Sequence, residues 1–244
     1  MGIIDSAVDI NELSQGKLVV IYGKSGSGKT KFASTFPKPM LYVRIGDDGS
    51  NTIKEVEGIK AVVADKIGDL ITIAEELEKD KIYKSVLIDT FSLLVNAWKN
   101  ENVIKKKKKM TQQAWGDLLA ETEDIINRYH KISSKKWVIL TGHEVMDSIE
   151  GMEDELLPDV RIAVSKGART YLEGMANYGI HTLKLQREIE DKEGNIKTIV
   201  KYAANIGPDP YYWTKLQIDS SIKVPSIIIN PTFSKLMKII GLAE

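Results

Sequence analysis

The chain contains no cysteine, which excludes disulfides, thiolate catalysis and cysteine-ligated zinc. Three histidines give little material for a histidine-built metal cluster, so the chemistry is expected to rest on oxygen and nitrogen groups. No sign of charge dominates, because 34 Lys and Arg balance 34 Asp and Glu. A global field that would drive indiscriminate binding to nucleic acid or membranes is therefore absent, and any polyanion must be held by a local patch. No apolar run reaches the roughly 18 residues of a membrane span. The opening MGIIDSAVDINEL carries acids where a secretion signal carries bases. These features lead us to expect a cytoplasmic protein with no membrane partner.

What remains is an ordinary globular composition: 244 residues, 43% hydrophobic and 28% charged, enough for one large domain. Apolar runs alternate with helix-period segments up to Thr141, the pattern of a mostly parallel sheet flanked by helices. Strands are predicted at Lys17 to Tyr22, Met40 to Arg44, Ile59 to Ala64, Ser85 to Asp89 and Trp137 to Thr141. A short helix is predicted from Lys29 to Thr35, where Pro37 stops it. A second carries Ile67, Leu70, Ile71, Ala74 and Leu77 on one face. A long one from about Thr111 to Ile132 buries a stripe that starts at Trp115 and ends at Ile132.

After Gly142 the texture turns acidic and aperiodic, so 144–167 is expected to be a mobile loop. Ile180 to Glu188 and Ile196 to Ala203 read as an antiparallel hairpin added to the sheet edge. Asn230-Pro231 reads as the cap and first turn of a closing helix. The whole chain, 1–244, is then one domain: an N-terminal segment (1–16), a nucleotide-binding core (17–143), the loop, and a C-terminal extension (168–244).

The most specific stretch is Gly23-Lys24-Ser25-Gly26-Ser27-Gly28-Lys29-Thr30, which fits the phosphate-loop pattern G-x-x-x-x-G-K-[ST] and directly follows an apolar strand. Glycines let the loop curl so that backbone N–H groups converge on phosphate oxygens. The following helix start favours an anion, Lys29 can reach the terminal phosphates, and Thr30 offers a hydroxyl to Mg2+. ATP and Mg2+ are the expected ligands. Asp89, ending the strand Ser85-Val86-Leu87-Ile88-Asp89, is the candidate for the second carboxylate at the metal.

The next residue, Thr90, is not an acid, so the group that activates water must come from elsewhere. Asp47 and Asp48, just past the second strand, are candidates that this pattern does not separate, and a solvated Asp-Asp-Gly turn is the other reading. His143, two residues past the fifth strand, is either a phosphate sensor or an incidental strand-end histidine.

With Gly23 to Thr30, Asp89 and Thr141 to Glu144 in this order, the chain resembles the RecA-like P-loop ATPases. It is most similar to phage nucleotide-binding proteins of the single-strand-annealing group. The Asp89-Thr90 ending, Ala114-Trp115-Gly116 and Asn230-Pro231-Thr232-Phe233 carry the closer likeness. The resemblance implies an α/β RecA-like P-loop NTPase fold and a DNA-stimulated ATPase acting on single-stranded DNA in phage recombination or replication, by annealing or strand exchange. It also implies a host-cell location, a single-strand-binding protein as partner and self-assembly into a ring or filament. The polar sensor of such cores falls on His143, and their catalytic acid falls on Gly46-Asp47-Asp48, where an aspartate replaces the usual glutamate.

The first DNA-contacting loop falls on Lys105, Lys106, Lys107, Lys108 and Lys109. Five adjacent cations favour a solvated loop that contacts phosphates without reading bases; a plain solubility tract is the other reading. The second such loop falls on 144–167, where Glu150, Glu153, Asp154 and Glu155 oppose a direct phosphate role. Arg161, Lys166 and Arg169, in or just past it, are equal candidates to reach DNA or to donate a charge to the nucleotide of a neighbouring subunit. Tyr211-Tyr212-Trp213 either covers a base, forms a subunit contact or caps the core. Two other classes compete: a P-loop kinase, which would want more than the five arginines present, and a nucleotide-gated binding module with negligible turnover.

Overall fold

The computed structural model describes residues 16–46, 50–150, 156–190 and 196–242. In chain order the elements are β1 (Leu18–Gly23), α1 (Lys29–Ala33), β2 (Met40–Arg44), β3 (Ile59–Val63), α2 (Ile67–Lys79), β4 (Ser85–Asp89), α3 (Leu94–Lys99), α4 (Gln112–Ser133) and β5 (Trp137–Gly142). They continue with β6 (Glu144–Glu150), β7 (Leu156–Ile162), α5 (Lys166–Met175), β8 (Tyr178–Glu190), β9 (Ile196–Asn205), β10 (Lys215–Leu216), β11 (Ile227–Ile229) and α6 (Phe233–Ile239). Among the described residues nine strands form one sheet in the order β11-β9-β8-β1-β5-β4-β2-β3, with β10 beside β8. From β3 to β8 every neighbour is parallel; β9, β10 and β11 are antiparallel additions. The α/β fold with a mostly parallel sheet and a C-terminal antiparallel pairing is as the sequence predicts.

The strands are apolar on both faces because helices cover both. Leu18, Val20 and Tyr22 of β1 face a core built with α2, α4 and α5, through Leu70, Ile126 and Leu172. Val19 and Ile21 face the opposite core, where Phe32 of α1 and Leu236 of α6 lie. Helix α4 begins at Thr111, whose hydroxyl accepts from the Ala114 N–H at 3.2 Å. Helix α6 begins at Thr232, which accepts from Lys235 N–H at 3.3 Å, so the cap lies two residues beyond Asn230. An aromatic triad fixes α6 to the sheet: the Phe233 ring lies 4.9 Å from Phe36 and 5.1 Å from Trp137, centroid to centroid.

Two further sequence expectations change. The segment 144–167 is not an unstructured loop where it is described: β6 and β7 pair antiparallel from Glu144↔Ile162 to Glu150↔Leu156, and residues 151–155 between them lie outside the described residues. Trp115, placed on the buried stripe by its spacing, is 43% exposed, and Lys99 Nζ sits 4.6 Å over its ring. The cation offers the indole face an alternative to burial.

In the Tyr211-Tyr212-Trp213 segment, Tyr212 and Trp213 pack against the core and Tyr211 is exposed. Trp213 lies against Gly179, where an added β-carbon would stand 2.5 Å from the ring. We expect Gly179→Ala to lower stability by about 1–3 kcal/mol through overpacking, measured as a drop in the denaturant midpoint at unchanged m-value. An unchanged midpoint would mean that the Trp213 ring is free to move away.

Candidate functional site

Strand β5 lies between β1 and β4, so the phosphate loop after β1 and Asp89 at the end of β4 open on one sheet edge, separated by the end of β5. Parallel strands place their C-terminal ends together, and that edge is the ligand crevice of open α/β sheets. The loop turns through Gly26 (φ 71) and Gly28 (φ 94), left-handed conformations that side chains disfavour. Inside it, Lys29 is 7% exposed, and its Nζ donates to the carbonyls of Gly23 at 3.0 Å and Lys24 at 2.9 Å. Burial pushes the Lys29 ammonium below its ordinary range, and the charges of Asp89 and Glu144 oppose that push. A desolvated cation curled into a ring of loop backbone suits a polyanion, which would replace two carbonyl dipoles with full charges.

Asp89 is 1% exposed and gathers hydroxyl donors. Thr30 Oγ1 donates to its Oδ2 at 2.8 Å and Tyr42 Oη at 3.1 Å. Thr90 Oγ1 donates to Oδ1 at 2.9 Å, and Thr141 Oγ1 bonds the same oxygen. Thr30 and Asp89, far apart in sequence, are therefore in direct contact, an arrangement able to hold Mg2+ through one hydroxyl and a water. Among the described residues no group of three or more His, Asp or Glu side chains could hold a metal ion unaided. Mg2+ at such a site characteristically keeps waters and takes phosphate oxygens as ligands, so the donor set fits a nucleotide-bound ion.

His143 is half-buried at the end of β5, with its backbone N–H on Ser92 Oγ at 3.0 Å. Its imidazole is held below its ordinary value by burial first, then by the Lys29 charge, with Asp89 opposing. Lys29, Thr30, Asp89 and His143 thus share one small region. Asp47 and Asp48 lie outside the described residues. Lys105 to Lys109 are all exposed and lie beyond α3 and a π-helical turn (Asn100–Ile104).

Several groups escaped the sequence reading. Tyr42 and Thr141 read from the sequence only as strand residues; the hint is a hydroxyl within otherwise apolar runs. Glu144 and His181 pair at 2.9 Å, and the Tyr212 ring stacks on His181 at 4.0 Å. With Lys24, Ser25 and Lys184 these three line a cavity of about 320 Å³ beside the phosphate loop. A larger cavity of about 910 Å³ lies between the β6–β7 pair and α5 and shares no residue with the loop.

A phosphate loop on β1, a hydroxyl-caged aspartate on β4 and an intervening strand define a P-loop ATPase. The family model described as AAA domain matches residues 15–205, and the chain belongs to that family of ATP-binding, ATP-hydrolysing domains. A search of curated proteins found no match. Among the described residues no helix is long and apolar enough to cross a membrane.

Burial is the largest influence on both His143 and His181, and both imidazoles sit below the ordinary 6.5. The unfolded chain therefore takes up protons near pH 6.5 that the folded chain refuses. Their contribution to stability is complete above that pH and is lost as pH falls below it. We expect the denaturant midpoint to decline from about pH 7 to about pH 5, and His181→Gln to flatten that decline. An identical slope in the variant would show that His181 does not titrate differently on folding.

Proposed function

We propose that this ATPase is a RecA-like protein that acts on single-stranded DNA, in phage recombination or replication, by annealing or strand exchange. In this reading Lys29 and the loop amides from Gly23 to Thr30 hold the triphosphate, and Thr30 with Asp89 holds Mg2+. Bound Mg2+ supplies charge neutralisation along the phosphates. His143 donates a hydrogen bond to a phosphate oxygen and passes nucleotide state to the β6–β7 pair that follows it. Asp47 or Asp48 orients the water. A single-strand-binding protein and further copies of the chain are the proposed partners.

The observation that carries the DNA assignment is the lysine tract. Lys105 to Lys109 are exposed, and none is ion-paired with a described carboxylate. Lys107 takes a left-handed turn (φ 52). Lys106, Lys108 and Lys109 line a cleft of about 740 Å³ against Trp98 and the start of α4. The turn is carried by α3, which follows directly from the Asp89 strand, so a change at the nucleotide has a short covalent route to it. Asp117 and Glu121 also line that cleft and Lys106 Nζ donates to Asn102 Oδ1 at 2.8 Å, but ammonium groups without an ion-pair partner suit a phosphodiester backbone and supply no base readout.

Phosphate release should require Lys29 and rise with single-stranded DNA. Lys29→Ala should abolish release. Replacing Lys105 to Lys109 with serine should weaken DNA binding and make its log–log salt slope shallower by up to about 3.5. Unchanged binding and slope would reject the tract as a contact. Release that needs a small-molecule acceptor would favour a kinase, and ATP-gated binding without release would favour a regulatory module. Of Asp47→Asn and Asp48→Asn, one should reduce turnover by about a hundredfold or more while ATP affinity holds; full turnover in both would move the water-activating role elsewhere.

A further inference from the structure

We propose that Lys184 is an additional phosphate-binding cation of the nucleotide site, delivered from the β8–β9 hairpin of the same chain. The register is the starting point. Strand β1 ends at Gly23, opposite Thr182 of β8, whereas β8 continues to Glu190. The rest of β8 therefore overhangs the phosphate loop, and residues two apart on a strand share a face. Thr182 Oγ1 contacts Ser27 Oγ at 2.7 Å and donates to the Tyr22 carbonyl at 3.1 Å. Two residues on, Lys184 Nζ lies 3.3 Å from where a β-carbon on Gly26 would stand.

Strand β9 adds the other half of the clasp. Tyr202 pairs with Lys184 across the hairpin. Its ring comes within 2.9 Å of a β-carbon position on Gly28, and Lys184 Nζ lies 5.8 Å from the ring centroid. Three successive loop residues, Gly26, Ser27 and Gly28, are thus touched by the hairpin. Lys184 is exposed, has no ion-pair partner among the described carboxylates, and lines the 320 Å³ cavity together with Lys24 and Ser25 of the loop. The carboxylate that lines the same cavity, Glu144, is bonded to His181 and not to Lys184, so an ammonium held against the middle of a phosphate loop with an aromatic face behind it is a cation for the polyphosphate chain. A cation–π contact of this kind orients an ammonium without cancelling its charge.

The proposal rests on the phosphate loop as the ATP site, and the experiment separates the two. Binding of ATP, ADP and AMP is measured for the unmodified protein, Lys184→Met, Lys184→Arg and Lys29→Ala. Lys184→Met keeps an unbranched stem over Tyr202 without the charge. It should weaken ATP and ADP about tenfold and AMP far less, whereas Lys184→Arg should stay within about threefold. Unchanged ATP affinity in Lys184→Met overturns the proposal, as does equal loss in the Arg variant or a lowered unfolding midpoint of Lys184→Met without nucleotide, which marks a packing role. If Lys29→Ala also binds ATP normally, the phosphate-loop reading fails with it; if only Lys184→Met is silent, that reading stands.

Discussion

The site is organised by the hydroxyl cage around Asp89. A carboxylate 1% exposed at the end of a central strand must find donors or carry a desolvation cost of several kcal/mol. Here the donors come from four places: Thr30 at the start of α1, Tyr42 on β2, Thr90 next in sequence, and Thr141 on β5. One residue thereby ties the phosphate-loop helix to three adjacent strands. In the proposed reading Thr30 shares a metal ion with Asp89, and the contact that satisfies the buried acid also fixes how the phosphate-loop helix stands against the end of β4.

A second clasp comes from the opposite side. Strand β8 extends the parallel sheet past β1 and then turns into an antiparallel hairpin, so the phosphate loop is flanked by the β5 end on one side and by Thr182, Lys184 and Tyr202 on the other. Glu144 bridges the two sides: it stands two residues past the end of β5 yet pairs with His181 on β8. The β6–β7 pair grows from that bridge, which places a structured element, rather than a free loop, one step from the site. A rearrangement at Glu144 or His143 has packed neighbours on which to act, and packed interfaces switch between discrete arrangements more readily than they deform continuously.

Much of this was legible in the residues. The phosphate loop was readable because its glycines, lysine and threonine answer to local backbone geometry, which needs no distant partner. The five core strands were readable because burial on both faces leaves continuous apolar runs such as Leu18 to Tyr22. The 144–167 segment reads as a loop because its strands alternate poorly and several apolar residues stay exposed, with Met146 at 72% and Leu156 at 71%; pairing between β6 and β7, with burial of Val160 and Ile162 at the end of β7, orders it. Trp115 was misread because helical spacing reports which residues share a face, and Lys99 supplied a reason for that one to remain at the surface.

Local chemistry alone thus determined the P-loop, the strand that ends in Asp89 and the class of ligand, since each depends on neighbours within a few positions. Only the tertiary structure decided that Tyr42 and Thr141 hold Asp89, that Glu144 meets His181, and that Lys184 and Tyr202 close over Gly26 and Gly28. Those contacts join residues 37 to 174 positions apart, and register between strands, which no short stretch of chain encodes, brings them together.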